Sequence, residues 1–187
     1  MTHPTSSPPP AHAHTHAPAH DETAPALAPG EVALDPELFG AEQPCFGCGP
    51  SHPIGFHLRF TREGELVRTR WTPGPQFQGP PGIVHGGLVT TLADELAAWT
   101  VVTLRGRFGF TASIEARLSG PLRIGAEVVG EGRVLRDSSR LVLVEVRLRQ
   151  GREECFRGEF KFVLLDTAGA EKLLGGPLPE RWRQFAR

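Results

Sequence analysis

The sequence predicts an α+β fold in which an antiparallel β-sheet wraps around one long central helix. A segment near the middle of the chain carries apolar residues at spacings of three or four and is apolar on nearly every face. Segments in which apolar and polar residues alternate lie on both sides of it, two before and four after. One buried helix between groups of strands is typical of an α+β domain.

The chain begins with a segment rich in proline, alanine and histidine. Residues 1–36 contain His3, His12, His14, His16 and His20 among small residues and prolines, and this composition cannot form a packed core. We expect a disordered tail here, with metal collection by the histidines as the alternative. The predicted domain spans residues 37–168, and residues 169–187 form a C-terminal extension.

Two strands are predicted before the helix. Phe56, Leu58 and Phe60 alternate with polar residues, Glu63-Gly64 supplies a turn, and residues 65–71 return as the second strand. Four more strands are predicted after the helix, at residues 114–118, 126–136, 140–149 and 156–164. Val144, Val146 and Leu148 are expected to face inward.

The helix carries two acidic residues among apolar neighbours. Leu88, Leu92, Leu96 and Trp99 form its main apolar stripe, yet Asp94 and Glu95 interrupt it, and no Lys or Arg lies between Arg70 and Arg105. A carboxylate in such surroundings must be paired, hydrogen-bonded or shifted in pKa. Glu95 lies about 100° around the helix from Asp94, so we expect it to meet a different environment and to act in support or at an interface.

The start of the helix suggests acyl transfer. The N–H groups of Gly86 and Gly87 lie in the first turn, where they are unpaired and carry the positive end of the helix dipole. Asp94 follows Gly87 by seven residues, about two turns, and so shares its face roughly 10 Å along the axis. A carbonyl oxygen at this terminus would be polarised while its carbon faces Asp94.

Three sequence motifs resemble a known family. The run VHGGLVTTLAD resembles the catalytic segment of hotdog-fold acyl-CoA thioesterases of the phenylacetate-degradation (PaaI-like) family, and CFGCGPSHPIGFHL and FQGPPGIVHGG resemble the opening and the helix approach of one branch. The similarity covers about residues 44–166. It implies the hotdog fold and hydrolysis of a thioester to a free acid and coenzyme A, without a metal or other cofactor.

The resemblance also implies roles for individual residues. Asp94 matches the catalytic acid, as base or nucleophile, the Gly87 N–H matches the oxyanion donor, and Thr111 matches a hydroxyl that orients water. Related enzymes often carry an asparagine where this chain has Gly79, and the adjacent Gln78 is expected to substitute for it.

Other residues around the helix start and the strand turns are further candidates. His85 either caps the helix and orients its loop or hydrogen-bonds the thioester, and the residues leave these alternatives open. Gly82 and Gly86 are candidates for substrate binding. Arg136 and Arg140 flank the turn at residues 137–139 and are candidates for the phosphates of coenzyme A.

The chain has three cysteines, an odd number that argues against a disulfide framework. Cys45 and Cys48, with His52 and His57, offer four potential zinc ligands, and a redox pair is another alternative. We favour a tight turn with packed, reduced thiols.

The predicted partners are an acyl-CoA or acyl-carrier thioester and a second copy of the chain, as a homodimer or dimer of dimers, because one such sheet leaves exposed edges. The resemblance places Asp94 of one subunit opposite Thr111 of the other. A net charge of −1 gives no reason to expect nucleic acid. With no signal or membrane segment apparent, we expect a cytoplasmic location. The alternatives are a noncatalytic acyl-CoA-binding module and a hotdog dehydratase or hydratase.

Overall fold

The computed structural model describes residues 27–187, which form one antiparallel sheet with a long helix packed on it. The sheet order is β1-β2-β3-β5-β6-β7-β4. The strands are β1 (Val32–Ala33), β2 (Phe60–Glu63), β3 (Leu66–Trp71), β4 (Gly109–Leu118), β5 (Val128–Asp137), β6 (Leu141–Gln150) and β7 (Glu153–Leu164), and the helices are α1 (Gly86–Arg105), α2 (Thr167–Leu174) and α3 (Glu180–Arg183). This confirms the predicted α+β hotdog layout. Three strands precede the helix, because β1 adds to the two that were predicted, and four follow it as predicted.

Helix α1 is the centre of the core. Leu92 and Leu96 are fully buried, as are Val144, Val146 and Leu148 on β6, which face inward as predicted. Two glycines of β5 let the helix approach the sheet closely. A Cβ at Gly132 would lie 2.2 Å from Thr100 Oγ1, and one at Gly130 would lie 2.8 Å from Leu96 Cδ2. Although α1 is long and apolar enough to cross a membrane, half of its most apolar window is buried within the structure.

The segment before β2 differs from the predicted strand. The Phe56 N–H donates to Phe46 O and the Leu58 N–H donates to Gly47 O, both at 2.9 Å. His57 has a φ of 52° in the left-handed region, which ends an extended strand, so β2 begins only at Phe60. Residues 56–58 therefore pair with the loop that carries Cys45 and Cys48 instead of extending β2.

Part of the range predicted as a tail packs on the sheet. Val32 and Ala33 pair with Arg62 and Thr61 of β2, and the buried Glu31 forms ion pairs with Arg68 and Arg70. Residues 27–36 thus contact the domain, which begins earlier than residue 37. The histidines of the predicted tail lie outside the described residues.

The C-terminal extension covers one end of the core. Asp166 caps α2 by accepting the Gly169 N–H at 2.8 Å. Trp182 and Phe185 pack on Phe39 with ring centroids 4.9 and 5.5 Å apart.

Strand β4 ends the sheet and leaves one edge unpaired. Its apolar side chains are exposed, with Phe110 at 50%, Ile114 at 43% and Leu118 at 51%. An apolar edge strand of ten residues invites pairing with another chain.

Candidate active site

His85 forms the N-cap of α1. Its side-chain Nδ1 accepts a hydrogen bond from the Gly87 N–H at 3.1 Å, and its backbone N–H donates to Phe77 O at 3.0 Å. This geometry matches the capping alternative. The Gly87 N–H, the predicted oxyanion donor, is therefore already bonded to His85, whereas the Gly86 N–H has no hydrogen-bond partner among the described residues. Both glycines are exposed.

Asp94 lies two turns further along α1 and is half-buried. Its Oδ1 accepts a hydrogen bond from Thr111 Oγ1 at 2.9 Å. Burial raises the pKa of Asp94 above its usual value of 3.8, and the bond from Thr111 opposes that rise because it stabilises the ionised carboxylate. The pKa of Asp94 therefore depends on both its burial and the hydrogen bond from Thr111.

Thr111 owes its position to an irregularity in β4. The register between β4 and β7 shifts between Thr111 and Ser113, as at a β-bulge, and such a bulge redirects side chains. Gly106, with a φ of 58°, ends α1 and turns the chain back through a short loop. The start of β4 therefore lies beside α1 of its own chain.

The prediction that Asp94 contacts Thr111 of a second subunit is wrong, because Thr111 bonds Asp94 of its own chain. The short turn after Gly106 brings β4 back alongside α1, which the sequence pattern did not reveal.

Gln78 and Gly82 lie together in the loop before α1. Gln78 Oε1 accepts the Gly82 N–H at 3.3 Å, so the amide oxygen holds its own loop. Gly79, where the resemblance expects an asparagine, lies against His85. A Cβ there would be 3.1 Å from His85 Cα, which leaves little room for a side chain.

The helix start and the Asp94–Thr111 pair lie near opposite ends of β4. A Cβ at Gly86 would lie 3.4 Å from Leu118 Cδ2, at the end of β4, whereas Thr111 is near its beginning. Gly86 and Asp94 are eight residues apart, about 12 Å along the helix. One chain thus supplies an acid and an open helix terminus without bringing them into contact.

Arg136 and Arg140 lie near the far end of α1. Both are exposed at the β5–β6 turn, where the neighbouring Asp137 forms an ion pair with Arg105, the last residue of α1. The helix has 20 residues and so measures about 30 Å. Within one chain these arginines are remote from Gly86 and Gly87.

Glu95 contacts the loop that carries Cys45 and Cys48, whereas Asp94 contacts Thr111. This agrees with the prediction that the two acids meet different environments. Cys45 Sγ lies 3.2 Å from Glu95 Oε2, and Gln43 Nε2 donates to Cys48 Sγ at 3.1 Å. Burial raises the pKa of Glu95 to about 8, and the charge of Cys45 adds to that rise.

The zinc alternative built on two cysteines and two histidines does not match this arrangement. Among the described residues, the group of convergent ligand atoms consists of Cys45, Cys48 and Glu95, without His52 or His57. The paired cysteines were visible in the sequence, but nothing in their spacing pointed to Glu95, fifty residues away.

Comparisons with known proteins agree with the fold. The family model described as "Thioesterase superfamily" matches residues 81–156, from the loop before α1 into β7. Acyl-coenzyme A thioesterase THEM4 of Xenopus laevis is 31% identical over 77 residues, a match that covers 41% of this chain and 34% of that protein. The chain thus spans about a third of the length of this curated relative.

Solved structures share the same architecture. The thioesterase superfamily protein RHA08564 is 26% identical, with a TM-score of 0.59 and coverage of 76% of this chain and 70% of that one. The protein smu.793 of Streptococcus mutans UA159, solved bound to acetyl CoA, is 18% identical, with a TM-score of 0.54 and coverage of 57% of this chain and 87% of that one.

Proposed function

We propose that the chain is an acyl-CoA thioesterase of the thioesterase superfamily, which hydrolyses a thioester to a free acid and coenzyme A. The observation that carries this proposal is the Asp94–Thr111 pair on a helix that begins at two exposed glycines. The pair supplies an acid beside a hydroxyl, and the Gly86 N–H at the helix terminus supplies a donor for a developing oxyanion.

In the proposed reaction, Thr111 holds the Asp94 carboxylate beside the attacking water. Acting as a base, Asp94 takes a proton from the water while the water oxygen adds to the carbonyl carbon of the thioester. The negative charge that forms on the carbonyl oxygen lies at the helix start, near the Gly86 N–H. The carbon–sulfur bond then breaks, and the thiolate of coenzyme A leaves and takes up a proton.

Acting as a nucleophile, Asp94 would instead attack the carbonyl carbon and form an anhydride that water later cleaves. A single turnover in ¹⁸O-labelled water separates the two routes. Label incorporated into the Asp94 carboxylate indicates the nucleophile, because the base route exchanges no oxygen of Asp94.

The position of β4 supports a site shared between two copies. Two-fold pairing of exposed β4 edges runs the strands antiparallel, because the symmetry axis reverses the direction of one strand. The Thr111 end of one copy then lies beside the Leu118 end of the other. We propose that Asp94 of one subunit faces Gly86 and Gly87 of its partner in this way.

The same pairing would carry the turn with Arg136 and Arg140 toward the partner's helix start. Two guanidinium groups near that terminus would suit the phosphates of coenzyme A. Coenzyme A is also the carrier named for THEM4, and acetyl CoA is bound by smu.793. The three motifs that resemble the PaaI-like branch favour that branch of the superfamily.

The test is thiol release from short, long and aromatic acyl-CoA esters by the wild type and Asp94→Ala. We expect a loss of about 10²-fold or more in the variant. Asp35→Asn is the control, since Asp35 is exposed and, within residues 27–187, its side chain accepts a single hydrogen bond, from the Glu37 N–H. Unchanged hydrolysis in Asp94→Ala would contradict the proposal, and tight binding of acyl-CoA without thiol release by the wild type would favour a noncatalytic binding module.

A further inference from the structure

A second cluster of reactive side chains includes Glu95, the residue that follows Asp94 on α1. The sulfur atoms of Cys45 and Cys48 and a carboxylate oxygen of Glu95 all lie within 4.8 Å of one another. The first two come from the loop before β2 and the third from α1. The proposed hydrolysis uses none of them.

The cysteine loop makes a tight turn around Cys45. The Gly49 N–H donates to Cys45 O at 2.9 Å, which brings the chain after Cys48 back beside Cys45. This turn brings the sulfur atoms of both cysteines next to the Glu95 carboxylate.

Two glycines of this loop allow close packing. A Cβ at Gly49 would lie 2.5 Å from Cys45 O, a backbone atom that leaves no room for a side chain. A Cβ at Gly47 would lie 2.6 Å from Glu95 Oε2 and would displace the carboxylate from the cluster. The loop therefore packs directly onto the Glu95 carboxylate, which keeps the three ligand atoms together.

The cluster gathers acidic groups without a cation. A cavity of about 160 Å³ adjoins it, lined by Gln43, both cysteines, Glu95 and apolar side chains. In the part of the chain that the structure describes, no Lys, Arg or His side chain lines this cavity. Asp94, the preceding residue of α1, adds a further carboxylate nearby. Groups of like charge in a poorly hydrated site must keep their protons or take up a cation.

We propose that Cys45, Cys48 and Glu95 bind a thiophilic divalent cation, with Zn²⁺ the best match. Two thiolates and one carboxylate are established zinc ligands, and tetrahedral Zn–S bonds of about 2.3 Å place two sulfurs about 3.8 Å apart. That separation falls within the 4.8 Å limit of the cluster. The adjoining cavity has room for a water molecule as the fourth ligand.

Gln43 supports the site from outside the ligand set. Its amide Nε2 donates to Cys48 Sγ at 3.1 Å, the kind of bond that orients a thiolate ligand. The bound ion would join the loop of residues 45–58 to α1, one residue beyond Asp94. The proposed metal site lies beside the proposed catalytic acid. The metal proposal does not depend on whether the chain hydrolyses thioesters.

The test is titration of the full, reduced, metal-free chain with Co²⁺, followed by displacement with Zn²⁺. We expect one equivalent to produce a thiolate-to-cobalt charge-transfer band with the visible absorption of tetrahedral cobalt. Cys45→Ser and Cys48→Ser should each lose most of the band. Cys155→Ser is the matched control, because this third thiol lies in β7 and hydrogen-bonds Glu153 O.

Glu95→Gln should keep a charge-transfer band but bind Zn²⁺ at least about tenfold more weakly. The histidines of residues 1–26 can also take up metal, but they contribute no thiolate band. The proposal is overturned if the wild type shows no such band at one equivalent, or if the band survives in both Cys45→Ser and Cys48→Ser.

Discussion

The Thr111 hydroxyl donates a hydrogen bond to Asp94 Oδ1 at 2.9 Å and so joins the start of β4 to the middle of α1 within one chain. The bond fixes one oxygen of a half-buried acid and stabilises its charged form. It also ties the proposed chemistry to β4, the strand whose outer edge is unpaired.

Removal of this hydroxyl should weaken the proposed catalysis without removing the acid. Thr111→Val keeps the shape of the side chain but cannot donate, and a hydrogen bond to a charged group contributes about 1.5–3 kcal/mol. We expect kcat/KM for acyl-CoA hydrolysis to fall about 10-fold to 100-fold. Thr111→Ser retains the donor and should remain near the wild type. Equal rates for Thr111→Val and the wild type would rule out a catalytic contribution of this bond.

The pH profile should report the state of Asp94. Its pKa is raised by burial, so the acid limb of kcat/KM should lie above the usual aspartate value of 3.8, with activity lost as the pH falls through it. In Thr111→Val the charged form loses its donor, the pKa rises further and the limb moves to higher pH. Steady-state rates of both proteins across the acid range test this. Superimposed profiles would contradict the assignment of Asp94 as the titrating base.

His85 should act through the helix start. Loss of the N-cap bond in His85→Ala should cost about 0.5–2 kcal/mol in the free energy of unfolding, measured by urea denaturation. Asparagine is also a good N-cap residue, so His85→Asn should restore both stability and hydrolysis. If His85→Asn restores stability but not hydrolysis, the imidazole contacts the thioester and the second alternative for this residue holds.

The exposed edge of β4 should mediate a dimer. In Ile114→Arg a charge replaces an apolar side chain on that strand, and we expect at least about tenfold weaker association in sedimentation equilibrium, with a parallel loss of hydrolysis. Ile54→Arg is the control, because Ile54 is 69% exposed in the loop before β2 and is not part of β4. A monomeric wild type, or a dimer unaffected by Ile114→Arg, would contradict the shared site.

Glu31 should stabilise the domain through its arginines. Its side chain is fully buried between Arg68 and Arg70, and the hydrogen bond from Arg70 lowers its pKa to about 2. Glu31→Gln should lower the free energy of unfolding by about 1–3 kcal/mol at neutral pH.

Because the pKa of Glu31 is lower in the folded state than in the unfolded one, its contribution is complete above about pH 4.5 and declines as the pH falls toward 2. The difference between wild type and Glu31→Gln should therefore shrink across that range in urea titrations. A difference that stays constant down to pH 2 would show that the ion pairs are not its source.

The sequence determined the layout and the main candidate residues. Apolar residues at helical spacing defined α1, and period-two alternation located the strands after it, because burial of one face demands a regular pattern. The resemblance pointed to Asp94 and Thr111. Local chemistry was also visible where it depends on neighbouring residues, as in the cap that His85 forms over Gly87.

The tertiary structure decided which residues meet across long separations in the chain. The sequence could not show that Thr111 bonds Asp94 of the same chain, since this depends on how sharply the chain turns after Gly106. Nor could it bring Glu95 to Cys45, because that contact depends on a loop packing through Gly47 onto a helix fifty residues away. Periodicity records which face of an element is buried, whereas the partner across that face is fixed only when the whole core packs.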